Sequence, residues 1–231
     1  MTEYLFCSPT SPSIGVLDSA RRFPVHRVYC VGRNYAAHAL EMGADPQREP
    51  PFFFSKPADA VTQSDRVSWP TRTSDLHHEV ELVVGLGRGG AQVAVESALD
   101  LVAGYAVGVD LTRRDLQAQA KKLGRPWDTA KGFDESAPIS DLVTGLGTHP
   151  VSGLIELHVD GQPRQRGDLS EMIWSVPEII AELSTLYELQ AGDLIFTGTP
   201  AGVAALAPGS IVEASIEGVA RLKFQMGHCE A

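Results

Sequence analysis

The chain has 231 residues, and its 19 basic and 29 acidic side chains give a formal net charge of −10 at pH 7. Its 43% apolar and 21% charged residues are typical of one ordinary globular domain and exclude a mainly disordered chain. No apolar run reaches the roughly 18 residues of a membrane span, and the first residues lack a signal-peptide pattern, so we expect a cytoplasmic protein without a membrane partner. Because no basic stripe is present, we expect no nucleic-acid partner.

The first half of the chain mixes predicted strands with short helices. Prolines and serines predict an irregular segment over residues 1–26 that packs on a single domain over residues 27–231. Asn34 can cap a helix that runs to about Met42 and stops at Gly43, and the polar, proline-rich residues 44–51 are typical of a mobile lid. Strands are predicted at 27–32, 52–55, 67–69, 80–85 and 104–109, and helices at 95–102 and from Thr112 or Asp115 to Leu123, before Gly124.

The second half is predicted to be β-rich with one helix. Residues 154–159 and the Asp160-Gly161 turn begin a hairpin, and further strands are predicted at 194–196, 211–216 and 219–224. Ser175 caps a helix whose apolar residues recur at helical spacing and are mostly expected in the core, namely Ile179, Ile180, Leu183 and Leu186. Because strands outnumber helices and do not alternate regularly with them, the fold class is α+β and β-rich.

Two glutamates stand two residues apart in the stretch His77-His-Glu-Val-Glu-Leu-Val-Val-Gly85, which contains the strand predicted at 80–85. Residues at this spacing share a face, so Glu79 and Glu81 place like charges side by side. A solvated outer face is one explanation, and a divalent cation is the other. Asp110 can join them from the end of the next strand, although it can also simply precede a helix. Three carboxylates without a thiolate form a hard, oxygen-rich site that suits Mg²⁺, Mn²⁺ or Ca²⁺ better than zinc. His77 and His78 leave zinc as an alternative, although adjacent strand residues point to opposite faces and cannot both face one metal.

Further candidates lie on predicted helices. His38 and Glu41 are three residues apart, as an oriented general base requires, although an exposed helical pair has the same spacing. Arg113, Arg114, Gln117 and Lys131 follow Asp110 closely in the chain. Arg114 and Gln117 can face together and hold a carboxylate and a carbonyl oxygen, although a solvated basic helix is the alternative. The Thr197-Gly-Thr-Pro-Ala-Gly202 segment offers hydroxyl and N–H groups to an anion or forms an ordinary turn.

Other catalytic patterns have less support. Gly85-Leu-Gly-Arg-Gly-Gly90 fits a dinucleotide fingerprint, but the strand before it carries two glutamates and no repeated β-α units follow, so we interpret these glycines as a turn. Serine hydrolase, zincin and phosphate-loop motifs are absent from the sequence. Three widely spaced cysteines, Cys7, Cys30 and Cys229, support neither a disulfide framework nor a zinc knuckle.

Taken together, the ordered motifs resemble the fumarylacetoacetate hydrolase family, and most of all its short acylpyruvase and fumarylpyruvate hydrolase members. The resemblance spans about residues 27–212. The motifs that carry it are Tyr29-Cys-Val-Gly-Arg-Asn-Tyr-Ala-Ala-His38 with Glu41, Ser55-Lys-Pro57, Glu79-Val-Glu81, Gly104-Tyr-Ala-Val-Gly-Val-Asp110, Arg114-Asp-Leu-Gln117, Lys131 and Gly192-Asp-Leu-Ile-Phe-Thr-Gly-Thr-Pro200.

The resemblance implies a mixed β-sandwich roll, usually a homodimer, and an enzyme of aromatic compound catabolism. It implies Mg²⁺ or Mn²⁺ held by Glu79, Glu81 and Asp110. By the same resemblance, the catalytic residues are His38, Glu41 and Lys131, and the substrate contacts are Arg114, Gln117 and Thr199. Arg33 or Arg125 can meet a second carboxylate of the substrate. Two positions depart from the family pattern, since His78 stands where many relatives have tyrosine and Ala204 stands where glycine is common.

The predicted reaction is hydrolysis of the C–C bond of a 3-acylpyruvate, with fumarylpyruvate as the favoured substrate. Decarboxylation of oxaloacetate, or isomerisation or decarboxylation of a related 2-oxo diacid, is the alternative at the same site. A nicotinamide-dependent oxidoreductase that uses the glycines at 85–90 is a rival of another class. A binding protein that keeps the fold without turnover is a third possibility.

Overall fold

The computed structural model describes Leu5, residues 10–41 and residues 49–228. The predictions for Met42, Gly43 and residues 44–48 of the proline-rich lid lie outside these residues, as do Cys7 and Cys229. The helices are α1 (Ala36–Glu41), α2 (Arg114–Leu123), α3 (Asp128–Lys131) and α4 (Val176–Leu186), with 3₁₀ helices at Ala58–Ala60, Val95–Leu101 and Leu169–Glu171. None of these helices is long and apolar enough to span a membrane.

Short strands account for most of the remaining regular structure. They are β1 (Ser13–Gly15), β2 (Arg22–Pro24), β3 (Val28–Gly32), β4 (Phe52–Lys56), β5 (Val61–Thr62), β6 (Arg66–Val67), β7 (Leu76–His78), β8 (Val80–Leu86), β9 (Val102–Val109), β10 (Thr112–Arg113), β11 (Ala137–Pro138), β12 (Val143–Thr144), β13 (Leu154–Val159), β14 (Gln162–Asp168), β15 (Leu194–Phe196), β16 (Ala204–Ala205), β17 (Ile211–Ile216) and β18 (Ala220–Met226).

Two large sheets organise the fold. One has the strand order β12-β9-β8-β15-β3-β4, and the other has the order β14-β13-β17-β18-β6. Smaller sheets have the orders β10-β7-β16, β1-β2 and β11-β5. Most neighbouring strands are antiparallel, but β15 and β3 pair in parallel, as do β18 with β6 and β11 with β5. The mixed, strand-rich sheets confirm the α+β, β-rich roll.

The core lies on both faces of the six-stranded sheet, and strand β8 is buried along its whole length. Leu82 and Val84 belong to the cluster shared with the five-stranded sheet. Val83 belongs to the cluster on the other face, which includes Phe23 of the β1-β2 hairpin. Successive residues of a strand point to opposite faces, so Glu81 shares the face of Val83. The carboxylate of Glu81 therefore points away from the core between the two large sheets.

The predicted elements agree with the structure most closely where a turn or cap signal was strong. The hairpin at Asp160-Gly161 is confirmed. Helix α2 ends at Gly124, whose φ of +61° is the left-handed conformation that glycine adopts freely. Helix α4 begins after Ser175, whose N–H and hydroxyl both donate to Glu178 Oε2.

Several element predictions were wrong in detail. Residues 1–26 are not wholly irregular, because β1 and β2 pair there and contribute to the core. Residues 95–101 form a 3₁₀ helix, and the strand predicted at 67–69 is the two-residue β6. Leu186 is 60% exposed, because it is the last residue of α4 and lies beyond the packed turns.

Candidate active site

Three carboxylates meet where strands β8 and β9 lie side by side. Glu79 directly precedes β8, Glu81 is its second residue, and Asp110 directly follows β9. The antiparallel register pairs Val80 with Val109, and Asp110 N–H donates to the Glu79 carbonyl oxygen at 2.8 Å. One oxygen from each of the three carboxylates lies within 4.8 Å of the others, and all three residues are buried. The alternative of a solvated outer face for the two glutamates is thus wrong.

Cations surround two of these carboxylates. Lys131 Nζ lies 2.8 Å from Glu79 Oε2 and 2.6 Å from Asp110 Oδ2, and it also donates to Thr112 Oγ1 at 2.7 Å. Arg114 Nη2 donates to Glu79 Oε1 at 2.5 Å. Lys56 Nζ lies 2.9 Å from Asp110 Oδ1 but without hydrogen-bond geometry, so this buried oxygen accepts no hydrogen bond from the described residues. A buried carboxylate oxygen that accepts no hydrogen bond has lone pairs available to coordinate a metal ion.

The electrostatic environment shifts the pKa values of the two glutamates in opposite directions. Burial would raise the pKa of Glu79, but Lys131 and Arg114 lower it below its usual range. The pKa of Glu81 is raised well above its usual value by burial and by the negative charges of Asp110 and Glu79. Burial would likewise lower the pKa of Lys131, but Asp110 and Glu79 raise it. Since Glu81 lacks a cation contact among the described residues, a divalent cation within the cluster would compensate its charge.

Helix α1 places an imidazole beside this cluster. The His38 side chain is buried, and its Nδ1 lies 3.3 Å from Glu41 Oε2. Gly202 N–H donates to both Glu41 oxygens, at 3.1 and 3.2 Å, and so holds the carboxylate in place. Burial lowers the pKa of His38, while Glu79 and Glu41 oppose this shift. The imidazole is therefore neutral at neutral pH, as a base must be, and it is not an exposed helical pair with Glu41.

Backbone N–H groups of the segment after β15 donate hydrogen bonds to the protein's own carboxylates. Gly198 N–H donates to Glu81 Oε2 at 2.7 Å, and Gly202 N–H donates to Glu41. Gly198 has a φ of +98°, and a Cβ there would lie 2.7 Å from Asn34 Cβ, so glycine is required. The prediction that these N–H groups are free for an external anion was wrong. The loop is instead part of the framework that orients Glu81 and Glu41.

Asn34 joins this framework and does not cap α1. Its Oδ1 accepts a hydrogen bond from Trp174 N–H, and its Nδ2 donates to the carbonyl oxygens of Trp174 and Thr197. The side chain is fully buried and ties the start of α1 to the segment after β15. The expectation that Asn34 caps the helix was therefore wrong, because its amide groups already have tertiary partners.

A cleft open to solvent lies beside these groups. The predicted site residues that line it are Arg33, His38, Glu79, Glu81, Arg114, Gln117, Lys131 and Thr199. Glu41 contacts His38 from behind, whereas Arg125 is exposed and does not line the cleft. Gln117 accepts a hydrogen bond from Arg114 at 2.6 Å, which confirms that the two side chains face together.

The sequence reasoning missed several residues of the cleft and its surroundings. Lys121 and Trp127 line the cleft, and Lys56 and Gln165 contact its residues from behind. Lys121 was foreseeable, because it continues the helical stripe of Arg114 and Gln117 at a spacing of four residues. Gln165 lies on the distant strand β14, so no sequence spacing could have indicated it.

Two alternative predictions lose support from the geometry. Residues 87–90 form an irregular connection in which Gly90 N–H donates to the Leu189 carbonyl oxygen, and a 3₁₀ helix follows in place of the α-helix that a dinucleotide site needs. His77 contacts Asp75 and Arg114, and His78 contacts Gln165. Neither histidine belongs to the carboxylate cluster found among the described residues.

Comparison with known proteins agrees with this arrangement. The model of the fumarylacetoacetate (FAA) hydrolase C-terminal family matches residues 27–226. A fumarylpyruvate hydrolase of Ralstonia sp is 44% identical over 187 residues, which cover 80% of this chain and 97% of that protein. The crystal structure of fumarylpyruvate hydrolase from Pseudomonas aeruginosa in complex with Mn²⁺ and pyruvate matches with a TM-score of 0.94 and 47% identity, covering 98% of this chain and 100% of that one.

A further relative has a different activity in its name. The mitochondrial oxaloacetate tautomerase of Rattus norvegicus is 42% identical over 200 residues, which cover 86% of this chain and 90% of that protein. The family match thus extends over most of the chain, and these similarities extend over most of each relative. The chain belongs to the fumarylacetoacetate hydrolase family.

Proposed function

We propose that this protein is a metal-dependent hydrolase that cleaves the C–C bond of a 3-acylpyruvate, with fumarylpyruvate as the substrate and fumarate and pyruvate as the products. The observation that carries the proposal is the convergence of Glu79, Glu81 and Asp110 within 4.8 Å, where both glutamates line the same cleft as the His38 imidazole. The similarity to fumarylpyruvate hydrolases over most of the chain supports the choice of substrate.

The donor set fits a hard divalent cation such as Mg²⁺ or Mn²⁺, with Ca²⁺ able to substitute in crystals. All three ligands are carboxylates, and one oxygen of Asp110 is buried without a hydrogen bond. When bound, such a cation supplies Lewis-acid polarisation of the carboxylate and neighbouring keto oxygen of the substrate. Glu79, Glu81 and Asp110 would hold it.

The His38–Glu41 pair provides the base. With Nδ1 directed at Glu41, the Nε2 atom of neutral His38 is free to take a proton from water. The resulting hydroxide attacks the distal carbonyl carbon of the acyl group, the C–C bond breaks, and its electron pair forms the enolate of pyruvate. The His38 imidazolium then returns its proton to the enolate carbon, which completes pyruvate. Glu41 stabilises the imidazolium, and Gly202 N–H keeps Glu41 in place.

Lys131 and Arg114 stabilise the negative charge that develops on the enolate oxygen. Lys131 Nζ is fixed among Glu79, Asp110 and Thr112, so it is already oriented before the reaction begins. Arg114 is held by Glu79 and Gln117. Thr199 and Gln117 line the same cleft and are the proposed hydrogen-bonding partners of the substrate.

A second candidate function is tautomerisation or decarboxylation of oxaloacetate or a related 2-oxo diacid. The similarity to the rat oxaloacetate tautomerase favours it, and enolate stabilisation at the same cations would suffice. Purified protein with Mn²⁺ would be offered fumarylpyruvate, acetylpyruvate and oxaloacetate in parallel, and pyruvate, CO₂ and the keto–enol absorbance would be followed. Pyruvate release from fumarylpyruvate is the expected result. Turnover of oxaloacetate alone would replace the proposal with this second one.

We also propose that the chain forms a homodimer. Light scattering of the purified protein would test this independently of the activity, with twice the 24.8 kDa chain mass as the expected result. A mass equal to one chain at micromolar concentration would reject it.

A further inference from the structure

Two cations at the mouth of the cleft have no part in the mechanism above. The Arg33 guanidinium lies 5.5 Å from the centre of the Phe52 ring, and Lys121 Nζ lies 5.2 Å from the centre of the Trp127 ring. The two rings pack edge to face at 5.4 Å. These four side chains, here called the mouth cluster, all line the cleft. A cation, two aromatic rings and a second cation therefore form a continuous wall.

The mouth cluster has an excess of positive charge. Among the described residues, neither Arg33 nor Lys121 pairs with a carboxylate, whereas Arg114 and Lys131 deeper in the cleft both do. Partial burial lowers the pKa of Lys121, and repulsion by Arg114 and Arg33 lowers it further. Two like charges at the solvent-facing end of a cleft create a positive potential that attracts an anion.

The backbone holds this wall in place. Arg33 has a φ of +58°, in the left-handed region that non-glycine residues seldom adopt. A Cβ on neighbouring Gly32 would lie 2.0 Å from the Phe52 ring, so glycine is required for the ring to pack there. Lys121 lies on the face of α2 that carries Arg114 and Gln117, about 10 Å along the helix from Arg114 at 1.5 Å per residue. The helix thus presents cationic or polar groups from the floor of the cleft to its mouth.

We propose that Lys121 and Arg33 bind the distal carboxylate of the substrate and make the enzyme prefer acylpyruvates that end in an acidic group. This inference rests on the proposed function and specifies its substrate class. The α-keto acid end would bind at the floor beside the three carboxylates, and the acyl chain would extend along the aromatic wall. Charge-assisted hydrogen bonds from the two cations would then select a carboxylate over a methyl end group.

The test compares kcat/KM for fumarylpyruvate and for acetylpyruvate, which ends in a methyl group. Lys121→Met should lower the value for fumarylpyruvate by 10-fold to 100-fold and change that for acetylpyruvate by less than 3-fold. Lys121→Arg should restore most of the preference. Lys122→Met, on an exposed neighbour of equal charge, is the matched control and should leave both values unchanged. Equal losses with both substrates, or no loss with fumarylpyruvate, would overturn the assignment.

Failure of the proposed function would be recognised separately. If the wild-type protein cleaves neither substrate, the hydrolase proposal fails, but calorimetry with fumarate still tests the mouth cluster. Weaker fumarate binding by Lys121→Met than by wild type would then support the carboxylate site. Identical binding by both proteins would reject it.

An independent observation concerns Gln165, whose amide orientation is defined by two backbone groups. Val80 N–H can only donate, and it donates to Gln165 Oε1 at 3.1 Å. The Pro200 carbonyl can only accept, and it accepts from Gln165 Nε2 at 2.9 Å. His78 Nδ1 lies 2.8 Å from Oε1 and must therefore be the donor. The other hydrogen of the amide is donated to Thr199 Oγ1 at 2.7 Å.

This network determines what the Thr199 hydroxyl can do. Because Thr199 Oγ1 already accepts from Gln165, its own hydrogen is available to the cleft that Thr199 lines. We infer that Gln165 is a positioning residue, oriented by His78 and Val80, which keeps Thr199 as a hydrogen-bond donor to the substrate. His78, which departs from the family pattern, would act only through Gln165.

A double-mutant cycle separates positioning from general structural support. Gln165→Met should raise KM at least 5-fold in the wild-type background, with a smaller change in kcat. In the Thr199→Val background it should add less than 2-fold, because the hydroxyl that it positions is gone. Thr197→Val, which removes a hydroxyl bonded to the Leu82 carbonyl, is the control background, and there the full effect of Gln165→Met should persist. Equal effects of Gln165→Met in all backgrounds would reject the inference.

Discussion

Replacement of Glu81 by glutamine should have opposite effects on stability with and without metal. The folded protein raises the pKa of Glu81 well above its ordinary value of 4.5, so the folded state holds a proton that the unfolded chain releases. Above pH 4.5 the wild type therefore loses about 1.4 kcal/mol of stability per pH unit, until the folded pKa is reached. Glutamine has no such penalty, and its Oε1 can still accept the 2.7 Å hydrogen bond from Gly198 N–H.

The size of the effect follows from the pH of the measurement. At pH 6.0, which is 1.5 units above 4.5, metal-free Glu81→Gln should be more stable than wild type by up to about 2 kcal/mol. For a chain of this length that corresponds to a rise in Tm of about 4–8 °C. A metal concentration 100 times its Kd would in turn stabilise the wild type by about 2.7 kcal/mol, whereas the variant lacks a ligand and should gain little. The order of the two melting temperatures should therefore reverse.

Calorimetric melting in EDTA and in Mn²⁺ measures both effects on the same samples. Glu96→Gln, which neutralises an exposed glutamate far from the cluster, is the control and should shift neither melt appreciably. If Glu81→Gln melts below wild type in EDTA, the electrostatic reasoning is wrong. If Mn²⁺ stabilises the variant as much as the wild type, Glu81 is not a metal ligand.

The other predictions concern the base, the packing and the pH dependence of stability. His38→Gln should lower kcat by 10²-fold to 10⁴-fold, whereas Mn²⁺ binding measured by calorimetry should be retained. Undiminished turnover would mean that another group is the base. Because the pKa of His38 is lowered, the wild-type rate should fall only below about pH 6.5. Gly108→Ala should cost about 1–3 kcal/mol in urea unfolding, because the new Cβ would lie 2.5 Å from the Phe196 ring, and an unchanged midpoint would contradict this packing. Burial lowers the pKa of His78, so the unfolded chain binds its proton more readily. As pH falls below 6.5, the stability advantage of wild type over His78→Asn should shrink by at most about 1.4 kcal/mol per pH unit, until the folded pKa is reached. A pH-independent difference would show that His78 does not titrate in this way.

The pairs predicted from local spacing were found largely as expected, because local geometry alone defines them. Glu79 and Glu81 share a face through the strand period of two, and Arg114 and Gln117 face together through the helical period. Lys121 follows the same helical rule and could have been included. The roles of all these residues in catalysis or binding stay predictions until the variants above are measured.

Local patterns gave wrong results where a side chain has a tertiary partner. Asparagine often caps helices, yet the side-chain amide of Asn34 forms hydrogen bonds with Trp174 and Thr197, both more than 100 residues away in the chain. The N–H groups of Gly198 and Gly202 looked free for an anion, yet Glu81 and Glu41 accept their hydrogen bonds. A single sequence does not show which distant group will satisfy a donor.

The sequence by itself determined the strand-rich class, the Asp160-Gly161 turn, the Ser175 cap and the chemical character of the site, because each depends on residue type and on spacing within one element. Only the tertiary structure decided that strands β8 and β9 lie in a register that brings Asp110 to the two glutamates, and that Gln165 of strand β14 reaches Thr199. It also decided which charges are compensated, since Lys131 contacts Glu79 and Asp110 but not Glu81. Ionisation depends on burial and on distances between residues far apart in the chain, and these exist only once the sheets have packed.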